Sequence, residues 1–206
     1  MEGLFITIEG GDGSGKSTQI DLLTTYFKEH GRDVLLTREP GGTKISEKIR
    51  GIILDKENAE MADMTEALLY AASRAQHTVE FILPNIKSGK VVICDRYVDS
   101  SVVYQGHARG LGIDDVETIN HYATLGTTPD LTILLDLPPD IGLARKKNQK
   151  ALDRLELQAD AFHIKVNEGY RILAKRHEDR ILCVDATKSI EDIHKVIVEA
   201  IELKMN

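Results

Sequence analysis

The chain has 206 residues, of which 42% are hydrophobic and 29% charged, and this length and composition predict one packed domain rather than a disordered chain. Its 33 acidic and 26 basic residues give a formal net charge of -7 at pH 7. That balance argues against broad nucleic-acid binding and against a polybasic membrane anchor, because both require a basic surface. A site for an anion must therefore be built by local geometry.

Short apolar runs alternate along the chain with longer segments of helical periodicity. Strands are predicted at Leu4 to Ile8, Val34 to Thr37, Val91 to Cys94, Leu131 to Leu137 and Ile181 to Val184. Helices are predicted at about Lys16 to His30, in the isoleucine-rich stretch 45–53, at Thr65 to Ile86 with Pro84 kinking or ending it, at Ser100 to Ala108, at Asp114 to Thr124, after Pro139, at Leu155 to His177 and at Ile190 to Leu203. The alternation predicts an α/β fold with parallel strands, helices on both faces of the sheet and ligands beyond the carboxyl ends of the strands.

The location of the protein is predicted from what the sequence lacks. No apolar stretch approaches the length that crosses a bilayer, and the first residues have neither the basic region nor the cleavage site of a signal peptide. Cys94 and Cys183 lie in short apolar runs without a metal-ligand or disulfide pattern, so both are expected to be buried strand thiols. A cytoplasmic protein without a membrane partner is the expectation.

A phosphate-binding loop follows the first predicted strand. Residues Gly10 to Ser17 read GGDGSGKS and fit the pattern G-x-x-x-x-G-K-[ST] between a strand and a helix. The glycines let successive backbone N–H groups point at phosphate oxygens, and the new helix adds the positive end of its dipole. Lys16 is expected to reach the outer phosphates, and Ser17 is expected to bind Mg²⁺. The sequence therefore predicts a site for a nucleotide polyphosphate.

Two arginines indicate a second anion site opposite the first. Arg38 follows the second predicted strand and Arg96 the third, and in a parallel sheet both ends open onto the crevice of the glycine-rich loop. A guanidinium group offers a planar fork that suits a phosphate. Transfer between two polyanions requires both to be neutralised and held in line. The basic segment 145–150, RKKNQK, is predicted to close over the phosphates and exclude water.

Two alternatives to an enzyme that transfers a phosphoryl group to a charged acceptor remain open at this point. A P-loop switch or regulatory ATPase is one, although the chain has no Asn-Lys pair for reading guanine, and neither Asp95 nor Asp136 is followed by the glutamate common in motor ATPases. A deoxynucleoside kinase is the other, because it needs a carboxylate base beside a hydroxyl and Glu39 follows the second strand. The paired arginines favour a charged acceptor over an uncharged 5′-OH.

Several longer motifs resemble the thymidylate kinase family over nearly the whole chain. They are IEGGDGSGKST, TREPGGT at 37–43, ALLYAASRAQH at 67–77, DRYVDSSVVYQGHARG at 95–110, PDLTILLDL at 129–137 and DRLE at 153–156. The resemblance implies a three-layer P-loop NTPase fold with a five-stranded parallel sheet, a single nucleoside monophosphate kinase domain over 1–206 and a small mobile lid at about 143–156. It implies transfer of the ATP γ-phosphoryl group to dTMP, with Mg²⁺, in a homodimer.

The resemblance also assigns roles to individual residues. For ATP it implies Gly10, Gly11, Asp12, Gly13, Ser14, Gly15, Lys16, Ser17 and Thr18. For dTMP it implies that Asp12 lies near the sugar or the metal and that Arg38 and Arg96 bind the phosphate. It places Tyr70 in a stack on the base, with Arg74 and Ser101 hydrogen-bonded to the base. Tyr104 is at the position that excludes a ribose 2′-OH, and Gln105 belongs to the same pocket. Ser17, Asp95 and Glu156 are expected to hold the metal, and Lys16, Arg96, Asp12, Arg145 and Arg154 to act in catalysis.

The lid is where the chain departs from part of the family. Some members carry a basic residue inside the glycine-rich loop, where this chain has Gly13. The resemblance therefore follows the bacterial pattern, in which the lid supplies the catalytic cation. The candidates for this cation are Arg145 and Arg154, together with Lys146, Lys147 and Lys150 between them. His77 and His107 are expected to be ordinary surface histidines, and the segment 185–189 is suggested near the adenine only by its place after the last strand.

Overall fold

Five parallel strands form one sheet in the computed structural model, which describes residues 3–146, 154 and 160–205. The strands are β1 (Leu4–Gly10), β2 (Val34–Arg38), β3 (Val91–Asp95), β4 (Leu131–Asp136) and β5 (Ile181–Asp185), in the spatial order β2-β3-β1-β4-β5. All four strand pairings are parallel. The predicted sheet is confirmed, with each strand within two residues of its expected bounds.

The central strand explains why the sheet reads as apolar runs. All seven residues of β1 are buried, as expected for a strand covered by helices on both faces. In the sheet, Ile6 lies opposite Ile93 on one side and Leu131 on the other. The carboxyl ends of β1, β2 and β3 consequently lie side by side, which places the loops after them at one edge.

The helices cover both faces of the sheet. Their bounds are α1 (Lys16–Glu29), α2 (Lys44–Leu54), α3 (Asp63–His77), α4 (Leu83–Lys87), α5 (Val98–Ser101), α6 (Ile113–Ala123), α7 (Pro139–Lys146), α8 (Asp160–Arg176) and α9 (Ile190–Met205), with a 3₁₀ turn at Lys56–Asn58. One apolar core joins the sheet to α1 and α9, where Ile193, Ile197 and Ile201 form a stripe at helical spacing. A second core joins Leu134 to α6 and α8.

Two predicted helices contain π-helical stretches. The helix that begins at Asp63 continues to Lys87 through a π-helical turn, Thr78–Ile82. Pro84 does not end it, because the wider turn comes just before and Pro84 falls at the start of α4, where a missing N–H costs little. The predicted helix over 100–108 begins as α5 and continues as the π-helical segment Val102–Ala108. Such wider turns are frequent at functional sites.

One expectation about the thiols is wrong. Cys94 is buried in β3, but Cys183 is exposed in β5. The difference arises because β5 pairs with β4 alone and forms an edge of the sheet, so its residues are covered less evenly than those of β3. Among the described residues, no helix is both long enough and apolar enough to cross a membrane.

Candidate active site

The glycine-rich loop connects the end of β1 to the start of α1. Gly10 has a φ of 138°, and a Cβ atom there would lie 2.6 Å from the carbonyl oxygen of Leu135 in β4. Gly13 has a φ of 73°, and its Cβ would lie 2.6 Å from the carbonyl oxygen of Gly142 in α7. Both positions require glycine, since L side chains rarely adopt such φ values and the space is filled. The loop is therefore made of backbone packed against two neighbouring elements.

Lys16 lies folded into this loop. Its Nζ donates hydrogen bonds to the carbonyl oxygens of Gly10, at 3.1 Å, and Gly11, at 3.0 Å. Removal from water, followed by the Arg96 guanidinium, lowers the pKa of Lys16 to about 8, although nearby carboxylates oppose the shift. A phosphate bound beside Lys16 would raise this pKa again, because a nearby negative charge favours the ammonium form.

A cavity of about 190 Å³ opens beside the loop, and all eight residues predicted to bind dTMP line it. They come from the glycine-rich loop, the end of β2, α3, the end of β3 and the helix over 98–108. The complete lining is Asp12, Arg38, Glu39, Pro40, Arg50, Leu54, Tyr70, Arg74, Asp95, Arg96, Tyr97, Ser100, Ser101, Tyr104 and Gln105. Sequence reasoning missed Arg50, the fourth arginine of this lining, whose Nη1 donates to the carbonyl oxygen of Pro40 at 2.7 Å.

Arg96 stands at the floor of the cavity in an unusual backbone conformation. Its φ is 68°, a left-handed value that is uncommon for any residue other than glycine and that concentrates at functional sites. Its guanidinium donates to Asp12 Oδ1 at 3.0 Å, to the Tyr170 hydroxyl at 3.2 Å and to Ser100 Oγ at 3.3 Å. The arginine thus links Asp12 of the glycine-rich loop to side chains that line the cavity.

Comparisons with known proteins show the family to which the chain belongs. The model of a family described as "Thymidylate kinase" matches residues 8–197. The chain is 51% identical to a thymidylate kinase of Geobacillus sp. (strain WCH70), over 98% of this chain and 97% of that one. It is 49% identical to that of Bacillus cytotoxicus over the full length of both. A solved thymidylate kinase structure from Ehrlichia chaffeensis superposes with a TM-score of 0.79 at 30% identity, covering 98% of this chain and 99% of that one.

The chain belongs to the thymidylate kinase family. As a member of that family it is a phosphotransferase that phosphorylates dTMP and uses ATP and Mg²⁺. The comparisons do not favour the two alternatives left open by the sequence, a deoxynucleoside kinase and a P-loop switch.

The residues present fit the Mg²⁺ that the thymidylate kinase family implies. Ser17 and Asp95 both line a groove of about 600 Å³ next to the loop, and Asp95 Oδ1 is buried without a hydrogen-bond partner among the described residues. Hydroxyl and carboxylate oxygens are the donors that Mg²⁺ prefers, and this ion commonly takes its other ligands from water and phosphate. Glu156, the third predicted ligand, lies outside the described residues.

Below Arg96 lies a buried glutamate that sequence reasoning did not assign. Glu9, in β1, accepts hydrogen bonds from the Tyr97 backbone N–H at 2.7 Å, from Ser100 Oγ at 2.6 Å and from the Tyr170 hydroxyl at 2.9 Å. Burial, followed by the Asp99 carboxylate, raises the pKa of Glu9 to about 7, although Arg96 opposes the shift. Ser100 and Tyr170 touch both Glu9 and Arg96, so Glu9 anchors the groups that orient the arginine.

Arg38 lies at the rim, half-exposed and paired with α2. Its Nη1 donates to Glu47 Oε1 at 2.6 Å, and Glu47 also accepts from the Gly42 backbone N–H at 2.7 Å. The Arg38 hydrogen bond, followed by that of Gly42, lowers the pKa of Glu47 to about 2. Glu47 therefore stays ionised at neutral pH and holds the guanidinium at the mouth of the cavity.

Arg74 is held by a buried network at the opposite wall. Its Nε donates to Glu39 Oε2 at 2.6 Å, and its other nitrogens donate to Asn120 Oδ1 and to the Tyr97 carbonyl oxygen. The second oxygen of Glu39 accepts from His77 Nδ1 at 2.8 Å. The expectation of a surface His77 is wrong, because α3 turns this ring inward, fully buried, against the end of β2.

The two lid arginines are placed differently. Arg145, in α7, donates from Nη1 to the carbonyl oxygen of Gly13 at 3.0 Å, which puts it on the glycine-rich loop. Arg154 is buried, and its described contacts are with the Ile53 carbonyl oxygen at 2.9 Å and with Glu66 of α3. Those contacts hold Arg154 against α2 and α3. Most of the predicted lid, including residues 147–153 and 155–156, lies outside the described residues.

Proposed function

We propose that the cavity beside the glycine-rich loop is the dTMP site, and that the chain moves the γ-phosphoryl group of ATP onto the phosphate of dTMP to give dTDP and ADP. One observation carries the assignment. Arg38 is the last residue of β2 and Arg96 directly follows the neighbouring strand β3, and both line the same cavity as Asp12 of the loop. Two guanidinium groups in a cavity beside a phosphate-binding loop suit a second phosphate that faces the first.

The chemistry that this arrangement supplies is alignment and neutralisation of charge. A phosphate monoester has a second pKa of about 6, so the dTMP phosphate is largely dianionic at neutral pH and needs no strong base. Arg38 and Arg96 offset the acceptor charge, while Lys16 and the backbone N–H groups of the loop offset that of ATP. Mg²⁺, held by Ser17 and Asp95, would neutralise and orient the phosphates of ATP.

The arrangement of Glu39 supports a charged acceptor over a nucleoside. A base for the 5′-OH of a nucleoside needs a free carboxylate oxygen within hydrogen-bond reach. Both oxygens of Glu39 already accept hydrogen bonds, one from Arg74 and one from His77. Glu39 therefore acts as a support for Arg74 and not as a base.

The upper part of the cavity suits the nucleoside of dTMP. Tyr70 and Arg74 lie four residues apart on α3, so one ring can stack on a base while the other side chain reaches its edge. Ser101 Oγ and Gln105 Oε1 are buried without hydrogen-bond partners within the described part of the chain, which leaves both for a ligand. Tyr104 lies beside Arg96, where it would limit the space for a 2′-OH.

We also infer a single domain over 1–206 with a lid at about 143–156, a homodimer and a cytoplasmic location.

Support for the dimer is an apolar surface on α2 and α3, where Ile45, Ile52 and Leu68 are each about half-exposed at 50%, 49% and 51%. Exposed apolar side chains at helical spacing on adjacent helices are suited to contact with a second copy. Analytical ultracentrifugation of the chain and of Leu68→Glu would separate dimer from monomer.

The test is a panel of acceptors supplied to the purified chain with ATP and Mg²⁺. We expect dTMP to be the best acceptor, dUMP to be used less well, dCMP and purine monophosphates to be poor, and thymidine to be inert. Faster turnover of thymidine than of dTMP would indicate a nucleoside kinase. Slow ATP hydrolysis that ignores dTMP would indicate a P-loop switch.

A further inference from the structure

Glu66 is a buried carboxylate that no sequence motif assigns to the site. It lies in α3 with no exposed surface and accepts hydrogen bonds from three side chains. Gln105 Nε2 donates to Oε1 at 2.9 Å, Arg109 Nη2 donates to Oε2 at 3.2 Å, and Arg154 also donates to Oε2. One carboxylate thus serves an amide and two guanidinium groups, and only the amide belongs to the cavity lining.

The partners keep Glu66 ionised. Burial by itself would raise the pKa of a carboxyl group, but the hydrogen bonds from Gln105 and Arg154 and the charges of the two arginines outweigh it and lower the pKa of Glu66. An ionised carboxylate can only accept hydrogen bonds. The group that faces Glu66 must therefore be a donor.

This requirement fixes the orientation of the Gln105 amide. The oxygen and the nitrogen of a glutamine amide are nearly isosteric, so its orientation is decided by its partners. Glu66 takes the NH₂ group, which leaves Oε1 as the free end. Oε1 is buried and has no hydrogen-bond partner in the described residues, and Gln105 is 1% exposed and lines the cavity. A buried acceptor without a partner is costly until a ligand donates to it.

We propose that Glu66 is a specificity-determining positioning residue, which holds the Gln105 amide so that the dTMP site presents a hydrogen-bond acceptor and demands a donor from its ligand. The proposal rests on the proposed function of this cavity. A thymidine nucleotide offers two such donors, the imide N3–H of the base and the 3′-OH of the sugar. Cytosine has a lone pair at N3, which an oriented acceptor would reject. Glu66 acts through Gln105 and does not itself touch the ligand.

The experiment compares dTMP with two analogues that each lack one donor, N3-methyl-dTMP and 3′-deoxy-dTMP. In the unaltered chain, we expect one analogue to lose about 10- to 100-fold in kcat/KM, the effect of leaving a buried acceptor unpaired. In both Gln105→Met and Glu66→Gln that penalty should shrink to less than about threefold. The first variant removes the acceptor, and the second no longer holds the Gln105 amide in one orientation. Asp63→Asn is the matched control, since Asp63 lies on the same helix and contacts Arg109 at 3.4 Å without touching Gln105.

Three results would overturn the proposal. One is that neither analogue is penalised in the unaltered chain, and another is that the penalty is the same in Glu66→Gln as in the unaltered chain. The third is an equal loss of penalty in Asp63→Asn. If Glu66→Gln does not fold by circular dichroism, Glu66→Asp draws the carboxylate back from Gln105 and should lose the penalty in the same way. If the chain did not phosphorylate dTMP at all, calorimetric binding of the same three nucleotides would still test the orientation of Gln105.

Discussion

The two halves of the active site are built from different materials. The glycine-rich loop is one continuous stretch of backbone, and its shape depends on glycines that pack against β4 and α7. The cavity proposed for dTMP is assembled from side chains of β2, β3, α3 and the helix over 98–108, and buried ionic groups hold them in place. The first half should therefore be sensitive to an added Cβ atom, and the second to the loss of a charge far from the substrate.

The largest expected effect is the removal of the arginine that joins the two halves. Arg96→Ala should lower kcat/KM for dTMP by about 1,000-fold, because the acceptor phosphate loses a cation whose side chain is only 20% exposed, while the affinity for ATP stays nearly unchanged. Steady-state kinetics and ATP binding by calorimetry measure the two effects. Arg176→Ala is the control, since that arginine is exposed and pairs with Asp114 on the surface. Near-normal turnover in Arg96→Ala would remove Arg96 from the site.

A buried ion pair beside the cavity should contribute more to the free energy of unfolding than an exposed one. Glu39→Gln breaks a pair with Arg74 in which both side chains are at most 2% exposed, and we expect the free energy of unfolding to fall by about 4 kcal/mol. Glu47→Gln breaks the Arg38 pair, in which the side chains are 47% and 43% exposed, and should cost about 0–1 kcal/mol. Urea denaturation measures both. Equal losses would show that burial does not decide the strength of these pairs.

Glu9 should make stability depend on pH below neutrality. Its pKa of about 7 in the folded chain exceeds the ordinary value of 4.5, so the folded state holds this proton more tightly than the unfolded state does. The resulting stabilisation is fully present below pH 4.5 and is lost as the pH rises through 7, a change of about 3 kcal/mol. Glu9→Gln should flatten the curve between these two pH values. Urea denaturation at pH 5, 6 and 7.5 provides the test, and an unchanged slope in the variant would contradict it.

The glycine-rich loop should respond to a single methyl group. Gly13→Ala places a Cβ atom 2.6 Å from the Gly142 carbonyl oxygen at a φ of 73°, and we expect a cost of about 2 kcal/mol, or roughly 30-fold in ATP affinity. Gly51→Ala, in α2, meets nothing within 4 Å and should leave ATP binding unchanged. Calorimetric titration with ATP compares them. Wild-type affinity in Gly13→Ala would show that the loop adapts.

The sequence predicted best those features that are continuous along the chain. The five strands and the glycine-rich loop depend on local periodicity and spacing, and Arg38 and Arg96 could be placed because parallel strands end at a common edge. The supports were not predictable in this way. Glu9, Glu66 and the buried His77 depend on partners between 38 and 161 residues away, which no local pattern reveals. The exposure of Cys183 follows from the position of β5 at the sheet edge, which strand composition does not encode.

The central claim is that the acceptor phosphate lies between the two arginines, facing the glycine-rich loop. A crystal structure with dTMP and a non-hydrolysable ATP analogue tests it most directly. We predict the dTMP phosphate within hydrogen-bond distance of the guanidinium groups of Arg38 and Arg96, in line with the γ-phosphate above Lys16. A dTMP phosphate bound away from both arginines, with the base not in contact with Tyr70, would contradict the account.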